Sequence, residues 1–478
     1  MLRTFWRTMV VTALLASVIV VQPAQAADTV TLKIMNWSQE QAEFYEDVAD
    51  EFNDEYPNIE LEFETMEQSA YREALPLMFQ SDQAPDIFFW ISTGNRVLTM
   101  AELYEFNWIA PLNPDGVSDD WLERFPAGSF VEGINMVDGE VYSFPFNDNQ
   151  IWGPGYMYMN NDVIRMAGLD PDAPPATWDE LHDWCNTIKD QTGVYCLAIP
   201  LQGNDFQRTW YPLAGSIMTD RFFDYQQGRF AIDDPRLLEA FEFIQQLYED
   251  DLVVPGVEDK GFARQAMGNG LAAIYFGGAW MPSVFENMGF DSLDLGVAPP
   301  PRPDDGPVGA LQQGYSENKY FVSSQTDHPA EAWAFIEWMT RPDGYFATEY
   351  LARGYGTLAF SDNAAYIENP VMQQLAADIA PTLRVLYPEP LVRCPDLAQS
   401  EAYLEAEQFH PNWEWEEMVE ALVSGDDFSS MAAEIAETKN EIFLAALEEE
   451  AAAGLDVSIE CYTYPDWEFT ENFDPANY

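Results

Sequence analysis

After residue 29 the sequence alternates between strand-like and helix-like hydrophobic patterns, and this alternation limits the possible fold more than any other feature. Apolar and polar residues alternate at 30–34 and 59–64, and a short apolar run follows at 85–90. The stretches between them, 45–56 and 71–80, carry apolar residues at helical spacing. The order strand, helix, strand, helix, strand predicts an α/β fold with a mostly parallel sheet flanked by helices.

Two sequence signals predict where helices begin. Ser38 with Gln41, and Thr177 with Glu180, have the spacing of a capping box, in which two side chains satisfy the first free N–H groups of a helix. The final part of the chain is predicted to be mainly helical, notably at 413–422 and 430–451.

The first 26 residues have the layout of a secretory signal peptide. Arg3 and Arg7 make the start positive, residues 8–21 carry no charge, and residues 24–26 read Ala-Gln-Ala, a typical cleavage site. The apolar part is too short to span a bilayer. We therefore expect a mature protein that is exported to the periplasm.

The charge excludes two classes of partner. The chain has 82 Asp and Glu against 21 Lys and Arg, a net charge of −61, which becomes −63 when Arg3 and Arg7 are removed. Such a surface repels nucleic acid and anionic membranes. The acids are dispersed and lysines are few, a composition typical of salt-adapted proteins, in which salt screens the self-repulsion. A negatively charged solute is the least expected cargo.

Four cysteines in an exported chain favour disulfides. Cys185 and Cys196 are the local pair, and Cys394 with Cys461 follows by elimination. Four buried free thiols are the alternative. A zinc site is disfavoured because no C-x-x-C is present and the three histidines are far apart in sequence.

No catalytic signature stands out. The sequence lacks the G-x-S-x-G, P-loop, G-x-G-x-x-G and H-E-x-x-H motifs. So many acids are present that no carboxylate pair can be singled out for glycoside hydrolysis. No catalytic residue, metal or cofactor is predicted.

Several short motifs follow one another along most of the mature chain. They are Ala-Pro-Asp-Ile at 84–87, Tyr-Met-Asn-Asn at 158–161, Ala-Gly-Leu at 167–169, Pro-Ala-Thr-Trp-Asp-Glu-Leu at 175–181, Gly-Gly-Ala-Trp at 277–280, Leu-Gly-Val-Ala-Pro-Pro-Pro at 295–301 and His-Pro-Ala-Glu-Ala-Trp at 328–333. In this order and spacing they resemble the extracellular solute-binding proteins of sugar-type ABC importers, the maltodextrin-binding-like family. The segment after about residue 382 matches less clearly.

The resemblance implies a two-lobed periplasmic-binding-protein fold of type II with a helical C-terminal part. Lobe 1 would comprise 27–148 and 302–355, and lobe 2 would comprise 149–301 and 356–478. The lobes would close on one ligand by hinge bending, and the closed form would dock on the permease subunits of an ABC transporter. The implied task is capture without chemistry, by a protein that is expected to be a monomer.

A sugar or polyol suits the residues expected at the cleft, because aromatic faces and planar polar groups together match its C–H faces and hydroxyls. Asp86 is expected to brace its strand, and Trp178, Trp333 and Trp338 are expected in the core. The candidate ligand-binding residues are Trp37, Ser38, Gln39, Trp90, Asn147, Asp148, Trp152, Trp210, Gly278, Trp280, Tyr315 and Tyr355.

Two alternatives remain open. The same fold could bind a phosphorylated polyol or a compatible solute, but only Arg96, Arg208 and Arg264 are basic candidates near the expected cleft. A secreted glycosidase would need two carboxylates at a fixed separation. A small neutral carbohydrate or polyol is the favoured ligand.

Overall fold

The computed structural model describes residues 29–38, 41–93, 96–148, 154–215, 222–257, 259–304, 311–313, 318–380, 384–404, 414–468, 470–474 and 477. The predicted signal peptide lies outside these ranges, and so do three of the predicted site residues, Gln39, Trp152 and Tyr315.

The strands, in chain order, are β1 (Val30–Asn36), β2 (Ile59–Thr65), β3 (Ile87–Phe89), β4 (Ser92–Thr93), β5 (Arg96–Val97), β6 (Ile109–Ala110), β7 (Met136–Val137), β8 (Glu140–Val141), β9 (Pro154–Asn160), β10 (Tyr195–Leu197), β11 (Phe223–Asp224), β12 (Arg229–Phe230), β13 (Ala272–Gly278), β14 (Leu295–Ala298), β15 (Leu311–Gln313), β16 (Tyr320–Ser323) and β17 (Arg384–Leu386).

The helices are α1 (Ala42–Glu55), α2 (Gln68–Gln80), α3 (Met100–Glu105), α4 (Asp119–Leu122), α5 (Asn161–Met166), α6 (Trp178–Thr192), α7 (Gln207–Ala214), α8 (Pro235–Glu249), α9 (Lys260–Gly268), α10 (Met281–Asn287), α11 (Pro329–Met339), α12 (Tyr345–Ala352), α13 (Asn363–Tyr366), α14 (Pro370–Gln374), α15 (Pro390–Arg393), α16 (Glu401–Leu404), α17 (Glu414–Ser424) and α18 (Ser429–Ala453).

Lobe 1 is built on a five-stranded sheet in the order β2-β1-β3-β16-β6. The first three strands predicted from the sequence pattern form one side of this sheet, in which β1 pairs in parallel with both β2 and β3. Strand β16 returns from lobe 2 and runs antiparallel to β3 and β6. Asp86 braces this sheet as expected, because its carboxylate accepts hydrogen bonds from the Lys33 N–H at 2.8 Å and the Thr326 hydroxyl at 2.5 Å.

Helix α1 confirms the predicted apolar stripe, but its start differs from the prediction. It packs Tyr45, Val48 and Phe52 of that stripe into the core, all of them buried. The predicted Ser38–Gln41 capping box is wrong. Gln41 is the N-cap without a side-chain cap hydrogen bond, and its Oε1 accepts the Tyr45 hydroxyl at 3.1 Å instead. The Gln41 side chain therefore accepts from a tyrosine hydroxyl one turn later. A capping box would have required it to accept from a backbone N–H.

Lobe 2 is built on a four-stranded sheet in the order β10-β13-β9-β14, with β9 antiparallel to both of its neighbours. The predicted disulfide between Cys185 and Cys196 joins α6 to β10. Thr177 caps α6 through the Glu180 N–H as predicted, but the Glu180 carboxylate accepts from Ala176 and so does not complete the reciprocal box. Trp178 and Trp338 are buried as expected, and Trp333 is half-buried against the core.

The second predicted disulfide, Cys394–Cys461, holds together a unit that we call the C-terminal module, residues 384–404 and 440–474. Two apolar clusters lie in this module, and Phe223 and Phe230 of the β11–β12 hairpin are also part of the larger one. The larger contains Leu391, Leu397, Phe443 and Leu447, and the smaller is formed by Tyr464, Trp467 and Phe473. The first half of α18 packs into the core of lobe 2 and the second half into the module.

Candidate ligand-binding site

Two tryptophans meet where neighbouring strands of lobe 1 end. Trp37 follows β1 and Trp90 follows β3, and these strands are parallel neighbours, so their carboxyl ends lie at one edge of the sheet. The ring centroids are 5.1 Å apart with the rings edge to face. Both residues are half-buried and so leave part of their surface open. Ligands of open α/β sheets bind at such strand ends.

Two enclosed donors lie at the end of β1. The Trp37 indole Nε1 and the Asn36 amide Nδ2 have no hydrogen-bond partner among the residues that the structure describes. A buried donor without a partner costs roughly 1–3 kcal/mol, so such groups mark places where a bound molecule can complete the hydrogen bonding. Asn36 was not predicted as a site residue, because it closes a strand whose pattern indicates only packing.

The first chain crossing between the lobes is fixed against the segment that follows α12. The Asp148 carboxylate accepts the Asn363 side-chain amide at 3.2 Å, and the backbone N–H of Ala359 donates to the Phe146 carbonyl at 2.9 Å. Asn363 in turn binds both backbone groups of Leu358, at 2.8 and 3.0 Å. These bonds hold Asp148 and its buried neighbour Asn147 in one place beside the sheet.

Lys319, a residue that the sequence did not single out, connects the tryptophan pair to the crossing. Its backbone carbonyl accepts the Trp90 N–H at 2.9 Å. Its ammonium lies 4.3 Å from the ring centroid of Phe146 and 5.1 Å from that of Phe89, within cation–π range. The residue is only 8% exposed. No local pattern distinguishes it from a surface lysine ahead of β16.

Tyr355 lies beyond this cluster on the same lobe. Its ring is 5.6 Å from Phe44 and 5.7 Å from Tyr350, and it is half-buried. Burial raises the pKa of Tyr320, whose ring packs on Phe89 and Phe146, well above its ordinary value, so that hydroxyl is neutral at physiological pH. We call the set formed by Trp37, Trp90, Asn147, Asp148, Lys319 and Tyr355 the lobe 1 floor.

In lobe 2, Gly278 and Trp280 lie where β13 ends. The strand pairing shifts between Gly277 and Gly278, and the Tyr158 hydroxyl donates to the Gly278 carbonyl at 2.8 Å. A Cβ on Gly278 would collide with the six-membered ring of Trp280, so the glycine is what lets this ring lie across the strand end. Trp280 is half-buried and keeps part of its ring open.

Two predicted residues lie in enclosed positions. Ser38 is 2% exposed, and its backbone N–H donates to the Asn36 Oδ1 at 3.0 Å. Trp210 is 3% exposed and packs in the core of lobe 2, with ring centroids 5.7 Å from Phe222 and 6.5 Å from Phe206.

The described part of the chain contains no group of three or more His, Cys, Asp and Glu residues that could hold a metal ion. None of the helices in the described ranges combines the length and the apolar character needed to cross a bilayer.

Comparison with known sequences decides the family. Residues 36–345 match the sequence profile of a family described as bacterial extracellular solute-binding protein. This chain belongs to that family. The match covers the lobe 2 sheet, every strand of the lobe 1 sheet except most of β1, and the strand ends described above, and it ends before the C-terminal module.

Individual proteins agree with this assignment. An uncharacterized ABC transporter extracellular-binding protein of Pyrococcus horikoshii is 26% identical over 336 residues, which cover 65% of this chain and 69% of that protein. Among solved structures, the cyclic α-maltosyl-1,6-maltose binding protein of Arthrobacter globiformis has a TM-score of 0.61 at 19% identity and covers 87% of this chain and 99% of its own. The sugar-binding protein MalE of Xanthomonas citri has a TM-score of 0.60 at 17% identity, with coverages of 89% and 100%.

Proposed function

We propose that this solute-binding protein captures a neutral carbohydrate or polyol between its lobes in the periplasm and delivers it to the permease of an ABC importer. The observation that carries the proposal is the Trp37–Trp90 pair at the ends of adjacent strands, with an enclosed indole N–H beside two partly open rings. In this proposal the chain is cut after its signal peptide, acts as a monomer, and is divided into lobes at the boundaries predicted above.

The chemistry of the floor suits a sugar. A pyranose ring presents apolar C–H faces, which pack on aromatic rings, and a belt of hydroxyls, which need planar donors and acceptors. Trp37 and Trp90 supply the rings, while Asn147 and Asp148 supply polar groups held by the crossing. On lobe closure Trp280 would cover the second face of the same ligand.

The structural neighbours support the same ligand class. The two neighbours described above are named as binding proteins for a maltose-type cyclic sugar and for sugar, and both share the fold. Their identity to this chain is low, so they support the fold and the general ligand class, while the particular sugar depends on side chains of this chain.

An anionic ligand is less favoured. Arg208, one of the three basic candidates, is engaged with Asp205 at 3.3 Å and is only 16% exposed at its side chain. The net charge of −61 also opposes an approaching anion, although high salt screens this effect.

Titration calorimetry tests the proposal. The mature protein, in molar salt, is titrated with maltooligosaccharides, raffinose, simple polyols and glycerol 3-phosphate, and is incubated separately with chromogenic glycosides. Saturable heat with a neutral sugar or polyol, and no released chromophore, is the expected result. Binding of glycerol 3-phosphate alone, or turnover of a glycoside, would replace the proposal with one of its alternatives.

A further inference from the structure

The C-terminal module is rigidly attached to lobe 2. Helix α18 is 25 residues long, roughly 37 Å, and runs without interruption from the core of lobe 2 into the module. Midway along it, Asn440 makes two hydrogen bonds to the backbone of Phe230, at 2.9 and 2.8 Å. Its neighbour Lys439 forms a buried ion pair with Glu414 of α17 at 2.8 Å. This pair joins α18 to a helix whose Trp415 and Met418 lie in the core of lobe 2.

A second set of contacts joins the module to the β11–β12 hairpin of lobe 2. Tyr225 stacks on Tyr387 with centroids 5.5 Å apart, and its carbonyl accepts the Tyr464 N–H at 2.6 Å. The next residue, Gln226, donates its side-chain amide to the Trp467 carbonyl at 2.9 Å. Lobe 2 and the module therefore move as one body.

The same module also reaches lobe 1. Ile134 packs against the larger apolar cluster of the module. The Ile134 segment belongs to lobe 1, because its carbonyl accepts the Asn318 amide at 2.6 Å beside the floor. The hairpin that follows is joined to the Leu112 N–H through Val141 at 2.8 Å.

The module makes one more contact, with the second chain crossing between the lobes. In chain order, strand β15 comes after β14 of lobe 2 and before β16 of lobe 1. It pairs in parallel with β17 at the start of the module. The final segment of the chain also contacts β17, since the Phe473 N–H donates to the Leu386 carbonyl at 2.7 Å.

We propose that the C-terminal module is a strap that ties lobe 2 to lobe 1 beside the crossings and limits how far the lobes open. Hinge bending moves lobe 2 relative to lobe 1 about the crossings. Because the module is fixed to lobe 2, opening must pull Ile134 from an apolar cluster and expose both to water, which opposes the motion. The part of the chain that matches the family profile ends at residue 345, before the module begins.

Pulsed electron–electron distance measurements on the ligand-free protein test the strap. Spin labels are placed at two exposed positions, Asn53 on α1 of lobe 1 and Asp190 on α6 of lobe 2. We expect one narrow distance distribution in the otherwise unchanged protein. Ile134→Ser should shift its mean and broaden it by more than the original width, because the apolar contact between lobe 1 and the module is lost.

Ile459→Ser is the matched control. Ile459 packs against the same cluster but belongs to the module itself, beside Gly228 of the lobe 2 hairpin. This variant should keep the narrow distribution although it loses the same apolar group. Equal distributions for Ile134→Ser and the unchanged protein, or equal broadening by both variants, would overturn the strap. The test uses no ligand, so its result is independent of the sugar proposal.

Discussion

The lobe 1 floor and the C-terminal module hold the same kinds of side chain in opposite environments. In the floor, Trp37 and Trp90 are half-buried at strand ends, with an indole N–H that no described residue satisfies. In the module, Trp467 is 4% exposed and its indole N–H donates to the Glu471 carbonyl at 3.0 Å. A tryptophan whose indole N–H has a partner and whose ring has no open face serves packing. A tryptophan whose indole N–H has no partner and whose ring is partly open is suited to a ligand.

This contrast separates the consequences of mutation. Changes in the floor should alter ligand affinity more than the free energy of unfolding. Changes in the module away from its contact with Ile134 should lower the free energy of unfolding and leave the affinity of the folded protein nearly unchanged.

The largest effect is expected from the module disulfide. Replacing Cys394 and Cys461 by alanine opens a link between residues separated by 67 positions, which should lower the free energy of unfolding by about 4 kcal/mol. Chemical denaturation measures this loss. The pair Cys185 and Cys196 spans only 11 positions, so its removal serves as a control with a loss of roughly 3 kcal/mol from loop entropy. Unchanged stability without the module disulfide would contradict this assignment.

The next effect depends on pH. Burial raises the pKa of the Glu389 carboxyl to about 7, while hydrogen bonds from the Leu391 N–H and the Tyr403 hydroxyl oppose the shift only in part. The folded module therefore holds the proton more tightly than the unfolded chain. The contribution of the protonated Glu389 carboxyl to stability is complete below about pH 4.5 and is lost as the pH rises through about 7.

We accordingly expect the free energy of unfolding to fall by up to about 3 kcal/mol between pH 5 and pH 8 through this one group. Glu389→Gln, which stays neutral, should remove that part of the pH dependence. Denaturation curves at a series of pH values measure the slope, and an equal slope in both proteins would show that Glu389 does not titrate as described.

A smaller effect is expected at the lobe 2 side of the site. Gly278→Ala places a methyl group where the Trp280 ring lies, so the ring must move. Displacing it should raise the Kd for the ligand about tenfold, or roughly 1.4 kcal/mol. In a Trp280→Ala background the same change should have no further effect on Kd, because the colliding ring is gone. Additive effects of the two substitutions would mean that Gly278 acts through some other contact.

The sequence predicted the parts of this molecule that depend on local patterns. The strands at 30–34 and 59–64, the stripe of α1 and the bracing carboxylate of Asp86 all follow from side-chain spacing, and the structure contains them. The two disulfide pairs followed from chain distance and elimination. The motif order was enough to indicate the family.

The features that could not be predicted from the sequence depend on contacts between residues far apart in the chain. Trp210 and Trp90 both lie in promising segments, but Phe222 and Phe206 enclose Trp210 within lobe 2. Lys319 is placed by rings from β3 and the first crossing, and Asn363 acts on Asp148 from 215 positions away. The module, which joins Ile134 to residues more than 250 positions later, has no local signal at all.

The central claim is that the open tryptophans of the floor hold the ligand and the enclosed ones do not. It is tested most directly by titrating the unchanged protein, Trp90→Ala and Trp467→Ala with the sugar that binds. We expect Trp90→Ala to raise Kd roughly fivefold or more, about 1 kcal/mol of lost contact area, while Trp467→Ala leaves the Kd of the folded protein unchanged and lowers its stability. An unchanged Kd for Trp90→Ala, or a larger rise for Trp467→Ala, would contradict the account.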